Sequence, residues 1–285
     1  MKFRLVPRLD IKNNDLVKGV NMEGLRVLGS PSFFCFSYNN QHVDELMLFD
    51  TVASLYGRNN LDSVVAMVAN EASVPLLIGG GIRTCEDIRN ALTKGADRIF
   101  FNTAALTNPK IIDQAVSEFG SSTISVSIDA SFQGGRYTAL VDCGREIVNI
   151  DIVDWMREVV DRGAGEIVIT SVDRDGTEKG FDQRLLELIP QDLRVPVLFG
   201  GGCSGAMDVA EIAKNYDHIS GVLIGSWAHY STLLNQKSSR SADREGNTYF
   251  LDNLMKHRVG LKHYVKEPFL EVKDALFNHG IKLRD

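Results

Sequence analysis

Short apolar runs alternate with amphipathic segments along most of the chain. Eight runs read as strands: Arg4–Leu9, Glu45–Phe49, Leu76–Ile78, Arg98–Phe101, Ile124–Ile128, Glu166–Ile169, Val197–Phe199 and Val222–Ile224. The stretches between them, among them Cys85–Lys94, Asn108–Phe119, Asp151–Asp161 and Gly205–Lys214, are amphipathic and helix-like. Eight βα units with mostly short connections predict an α/β fold, a (β/α)8 TIM barrel, rather than an open sheet. Residues 1–285 are expected to form one such barrel domain, with an insertion at about 231–268 before a last helix at Phe269–Gly280.

An internal duplication supports the barrel. Val74–Gly81 (VPLLIGGG) recurs as Val195–Gly202 (VPVLFGGG), an offset of 121, and Glu45 has its counterpart in Glu166, again 121 apart. Asp10 matches Asp129 at an offset of 119, and Asn102-Thr103 matches Gly225-Ser226 at 123. Two similar half-barrels should carry two similar ligand-binding ends. That implies a roughly symmetric ligand, such as one with a phosphate at each end.

Composition narrows the class. Of the 285 residues 44% are hydrophobic and 24% charged, which describes a soluble globular protein with a full core. The net charge of −6, with no basic stripe, argues against a nucleic-acid partner. No apolar run is long enough to span a bilayer, and MKFRLVPRLD lacks a signal peptide's apolar region, so a cytoplasmic protein is expected. Four scattered cysteines without CxxC spacing and six histidines without an HxxxH pair point to no metal centre.

Candidate chemistry clusters at the carboxyl ends of the strands. Thr170–Phe181 (TSVDRDGTEKGF) runs from the end of a buried strand, at Thr170, into charge, turn residues and glycine. Gly79-Gly80-Gly81 and Gly200-Gly201-Gly202 each follow a strand and precede a helix, where the backbone can approach an anion closely. Tight βα turns also use glycine for steric reasons. With Asn102-Thr103 and Gly225-Ser226 on the next strands, each triplet predicts a phosphate site. Asp10 and Asp129, at opposite sides of the mouth, suit a general acid/base pair. Asp50 is placed either to orient a ligand hydroxyl or to brace its loop, and Asp175-Gly176 to donate backbone N–H groups to the second phosphate. Lys18 lies in a long polar connection, Lys12–Arg26, suited to a mobile lid. Arg4, Glu45, Arg98 and Glu166 each begin a strand; spacing alone favours solvated rim charges over an ionic ring at the bottom of the barrel.

GAGEIVITSVDRDGTEKGFD, GGGIRTCEDIRNALTKGADRIFFNTAA, VKGVNMEGLR and FGSSTISVSIDA together resemble the cyclase subunit family of imidazole glycerol phosphate synthase, over about Met1–Tyr230 and the last helix. The resemblance implies a substrate with a phosphate at each end, the ribulosyl form of phosphoribosyl-formimino-aminoimidazole carboxamide ribotide. Ammonia from a glutaminase subunit, docked at the amino-terminal face of the barrel, would convert it to imidazole glycerol phosphate and aminoimidazole carboxamide ribotide. Asp10 and Asp129 then match the acid/base pair and Lys18 the loop lysine. Gly81, Asn102 and Thr103 match one phosphate site; Asp175, Gly176, Gly202, Gly225 and Ser226 match the other. Arg4, Glu45, Arg98 and Glu166 match the ring through which ammonia enters, which lifts the ionic-ring reading. No metal or organic cofactor is implied.

The chain departs from that family in places. Arg8 stands where a small cysteine is usual, on the inward face it shares with Asp10. It needs a carboxylate partner, from Asp10, Asp129 or Asp50, whose pKa it would depress. Val52 replaces a usual threonine, REIVNIDIVDW lacks the Pro-Thr-Gly turn before the fifth helix, and PSFFCFSYNNQHVDE is aromatic-rich. Two other readings therefore stay open. One is a paralogue that delivers ammonia to a sugar amidotransferase of surface-polysaccharide synthesis; the other is a binding scaffold without turnover.

Overall fold

The structure, a computed structural model, describes residues 2–53, 62–235 and 264–283. All eight expected strands form, as β1 (Arg4–Lys12), β4 (Leu46–Asp50), β5 (Leu76–Gly79), β6 (Arg98–Phe101), β7 (Ile124–Gln133), β10 (Glu166–Ser171), β11 (Val197–Gly200) and β12 (Gly221–Ile224). Each pairs in parallel with the next, β12 returns to β1, and β7 pairs with β10, so the sheet closes on itself. This is the (β/α)8 TIM barrel.

Two strands outrun the barrel, and they are the equivalent ones in the two halves. β1 continues into an antiparallel ribbon with β2 (Asp15–Val20) and β3 (Glu23–Gly29), and β7 into one with β8 (Arg136–Val141) and β9 (Glu146–Asp151). Gln133 pairs with Arg136 across Gly134-Gly135, and Val20 with Glu23 across Asn21-Met22. All four turn residues have positive φ, the geometry that makes a two-residue turn follow the strand twist. The long connection Lys12–Arg26 is thus an ordered ribbon. The stretch that lacks the Pro-Thr-Gly turn forms strand β9, and Asp151 caps the helix that follows by accepting from Val153 N at 2.8 Å.

Helices cover the barrel. Among those whose ends are described, α1 (Pro31–Asn39) buries Phe34 and Tyr38. The aromatic-rich segment is therefore mostly core, although Phe36 is 64% exposed. After β12 the chain forms the helix Ser226–Asn235, which the sequence reading did not anticipate, and it returns at Tyr264 to the last helix, Pro268–Asn278. Most of the expected insertion, 236–263, lies outside the described residues. No helix among the described residues is long and apolar enough to cross a membrane.

Inside the barrel, side chains alternate along each strand, so Arg4, Val6, Arg8 and Asp10 share the inward face of β1. Val6, Met47, Leu77, Phe100, Val168, Leu198 and Leu223 pack into an apolar layer. It separates a charged floor from a charged mouth.

Candidate active site

The floor is a closed ring of ion pairs. Arg4 pairs with Glu45 at 3.1 Å and with Glu166, while Arg98 pairs with Glu45 at 3.1 Å and with Glu166 at 2.8 Å. Strand spacing alone favoured solvated charges, and that reading is overturned: both carboxylates are nearly inaccessible. Neighbouring strand starts converge on the barrel axis, so charges of alternating sign satisfy one another there. Arg98 also donates to Ser125 Oγ at 2.9 Å, which ties the ring to β7.

Two cavities open at the mouth, one in each half. The larger, about 200 Å³, is lined by Asp50, Gly81, Asn102, Thr103 and Asp129, together with Arg8 and Phe49. The smaller, about 20 Å³, is lined by Lys18, Asp175, Gly176, Gly201, Gly202, Gly225 and Ser226, again with Arg8. The two sets expected from the repeat are thus brought together as two separate clusters. Asp10 and Thr170 are buried between them and line neither.

Each cluster retains an unanswered polar atom. Asn102 Nδ2 donates to Asp129 Oδ2 at 2.9 Å and to the Leu140 carbonyl at 2.8 Å, leaving its buried Oδ1 without a partner. Asn102 therefore presents an acceptor, suited to a hydroxyl or N–H rather than to a phosphate oxygen. Thr103 Oγ1 accepts from Asp142 N at 3.0 Å, which leaves its own proton to give. In the other half, Ser226 Oγ is buried and unpartnered at the start of the ten-residue helix Ser226–Asn235, where N–H groups and dipole favour an anion.

Lys18 is a core residue. Projected inward from β2, it is 2% exposed and bridges Asp10 Oδ2 at 2.7 Å and Asp175 Oδ2 at 2.8 Å. Two expectations for the second site change in consequence. The Asp175 side chain holds Lys18, and its N–H already donates to the Ser171 carbonyl at 2.9 Å, so it has none to offer a phosphate. Gly176, at φ +74, lies so close under the ribbon that a Cβ would meet the Gly19 carbonyl at 2.1 Å. Asp50 braces its loop by accepting from Val52 N at 3.0 Å, and it also faces the larger cavity.

Arg8 finds its carboxylate in Asp10. Its Nε donates to Asp10 Oδ1 at 2.8 Å, its Nη1 to Thr170 Oγ1 at 3.3 Å, and its guanidinium lies 4.8 Å from the centre of the Phe49 ring. The backbone is held as well. β12 ends at the Pro7–Ile224 pair, and the next carbonyl on that side, Arg8 O, is taken by His229 Nε2 at 2.9 Å. His229 Nδ1 in turn lies 2.6 Å from the Tyr38 hydroxyl. Burial, against the opposing pull of the Arg8 carbonyl, brings His229 down to about 4 and keeps the ring neutral.

These neighbours drive the two aspartates apart. Burial would raise Asp10, but the charges of Arg8 and Lys18 outweigh it and hold the carboxyl below its ordinary value. Burial pushes Asp129 up to about 6, only partly offset by Arg8 and the Asn102 hydrogen bond. One carboxylate is fixed as an anion while the other exchanges protons near neutrality, a division typical of acid/base sites.

A barrel with paired mouth sites and a ring-closed floor is the frame on which the sequence comparisons fall. The family profile described as "Histidine biosynthesis protein" matches residues 4–233. The "Imidazole glycerol phosphate synthase subunit HisF" of Legionella pneumophila is 46% identical over 200 residues, 70% of this chain and 94% of the relative. The protein of the same description from Lactococcus lactis subsp. lactis (strain IL1403) is 39% identical over 229 residues, 80% of this chain and 88% of the relative. The chain belongs to the histidine biosynthesis protein family and, within it, to the HisF cyclase subunits.

Among the cavity-facing residues not singled out from sequence are Phe49, Arg83, Ser127, Asp142, Cys143 and Glu178. Asp142 and Cys143 arrive through the β7–β9 ribbon, whose Gly-Gly turn between alternating residues was the available signal. Phe49 and Glu178 carried none.

Proposed function

We propose that the chain is a cyclase that uses ammonia from a partner glutaminase to convert the phosphoribulosyl-formimino ribotide to imidazole glycerol phosphate and aminoimidazole carboxamide ribotide. The observation that carries this reading is Asp129, a carboxyl raised to about 6 that faces the larger of the two polar-lined mouth cavities, about 200 Å³. A group that titrates near neutrality can take a proton from attacking ammonia and return one to a departing oxygen. Such catalysis contributes on the order of 10²–10⁴-fold.

The ends of the substrate would be bound differently. Thr103 and the backbone around Gly81 serve one phosphate, while Asn102 Oδ1 accepts from a neighbouring hydroxyl or N–H. Ser226, Gly202 and the helix Ser226–Asn235 serve the other phosphate. The smaller cavity, about 20 Å³, has room for about one water. Filling it with phosphate requires the β1–β3 ribbon to lift Lys18 away, the lid role expected for that connection. The Arg4–Glu45–Arg98–Glu166 ring at the opposite end suits entry of ammonia from a glutaminase docked on that face.

Steady-state turnover of the ribulosyl substrate with ammonium salt at alkaline pH tests the proposal. The wild type should form product, and Asp129→Asn should lose on the order of 10²-fold or more in kcat. No turnover by a folded wild type that binds the substrate would refute the cyclase reading.

A further inference from the structure

With the ribbon closed over the mouth, only one of the two mouth aspartates faces a cavity. Asp129 lines the larger cavity, whereas Asp10 lines neither. Arg8 Nε and Lys18 Nζ hold one Asp10 oxygen each, at 2.8 and 2.7 Å. What reaches both cavities instead is the Arg8 guanidinium, which forms part of the wall of each.

Arg8 is nevertheless underused by the protein. A guanidinium carries five N–H donors. Nε serves Asp10 and Nη1 serves Thr170, while Nη2 has no hydrogen-bond partner among the described residues. The side chain is only 5% exposed, and what surface remains includes the unpartnered Nη2. Its position is fixed on every other side, by Asp10, by Thr170, by the Phe49 ring, and through its carbonyl by His229.

We propose that Arg8 is a ligand-contacting residue whose free guanidinium edge binds an anionic oxygen of a molecule lying across both cavities, with Asp10 holding the other edge. The proposal rests on the reading that one anionic ligand occupies both ends of the mouth. The ligand class is an anion that adds an acidic or enolate oxygen between its ends, where a planar fork can grip two acceptor positions.

Calorimetric titration with ribulose 1,5-bisphosphate, which carries oxygens between two phosphate ends, tests this without requiring turnover, so it is decided separately from the cyclase reading; inorganic phosphate, which can fill an end alone, is the control. Wild type, Arg8→Met and Arg8→Lys are compared, each checked for folding by circular dichroism. Arg8→Met should weaken bisphosphate binding about tenfold or more and inorganic phosphate binding by much less, and Arg8→Lys, which keeps the charge without the fork, should weaken bisphosphate binding by less than Arg8→Met. No bisphosphate binding by the wild type, wild-type affinity in Arg8→Met, or an equal loss for inorganic phosphate overturns the proposal. Should Arg8→Met not fold, wild-type affinity in Arg8→Lys overturns it equally.

Discussion

Lys18 Nζ lies 2.8 Å from Asp175 Oδ2, and this pair, with Asn21 N donating to the Asp175 carbonyl at 2.7 Å and Asn21 Nδ2 to the Val172 carbonyl at 2.8 Å, fastens the ribbon of the first half-barrel to the β10 loop of the second. The same ammonium holds Asp10, and it is 2% exposed. Burial alone would lower Lys18, but the charges of Asp10 and Asp175 more than reverse this and raise it.

Lys18→Met should therefore leave the buried Asp175 without its cation and Asp10 with Arg8 alone, and destabilise the fold by about 3–5 kcal/mol. Urea unfolding measures the loss. Adding Asp175→Asn should recover part of it, and amide exchange should quicken first in β2 and β3.

Asp129 predicts a stability change of the opposite sign. Its carboxyl is raised to about 6 in the folded state, so the folded protein holds that proton more tightly than the unfolded chain does. The stabilisation from this site is complete at low pH and is lost as pH rises through about 6. Asp129→Asn removes the buried charge, so at pH 8 it should be more stable than the wild type by about 3 kcal/mol, the equivalent of roughly two pKa units. The gap should close below about pH 4. Thermal unfolding across that range checks it, and no gap at pH 8 would contradict the raised carboxyl.

Gly176 and Gly134 have similar positive φ, +74 and +58, but different surroundings. At Gly134 an added Cβ meets open space; at Gly176 it meets the Gly19 carbonyl. Gly134→Ala should cost about 1 kcal/mol from backbone strain alone. Gly176→Ala should cost about 2 kcal/mol more, from displacement of the ribbon. Paired denaturant curves separate the two costs.

In the ring, Glu166 serves both Arg4 and Arg98. Glu166→Gln leaves Glu45 as the single carboxylate between two guanidinium groups, and it should destabilise the barrel by about 3 kcal/mol by urea unfolding. On the proposed ammonia route, turnover fed by a glutaminase should fall more than turnover fed by ammonium salt.

The barrel was legible because its strands are short apolar runs whose ends carry the repeated glycines, and the repeat matched Asp10 with Asp129 and Glu45 with Glu166. Sequence position also marked Arg8 as a buried charge in need of a partner, and left three carboxylates to choose from. The choice of Asp10 depends on the rotamer that Thr170 and Phe49 impose from other strands, which no local pattern encodes. Lys18 misleads for the same reason. The polar connection Lys12–Arg26 reads as a mobile lid, and nothing local shows that the ribbon buries its lysine between Asp10 and Asp175. The ionic ring was underrated because spacing along a chain does not reveal that four strand starts meet on one axis. Asp175 was given a backbone role that its own turn hydrogen bonds already occupy.

The most direct test of the central claim follows the nitrogen. Purified chain incubated with the ribulosyl substrate and ¹⁵N-ammonium should release imidazole glycerol phosphate carrying the label, together with an equal amount of unlabelled aminoimidazole carboxamide ribotide, and Asp129→Asn should release neither at a comparable rate. Substrate that binds and is recovered unlabelled and intact from the folded wild type would contradict the account.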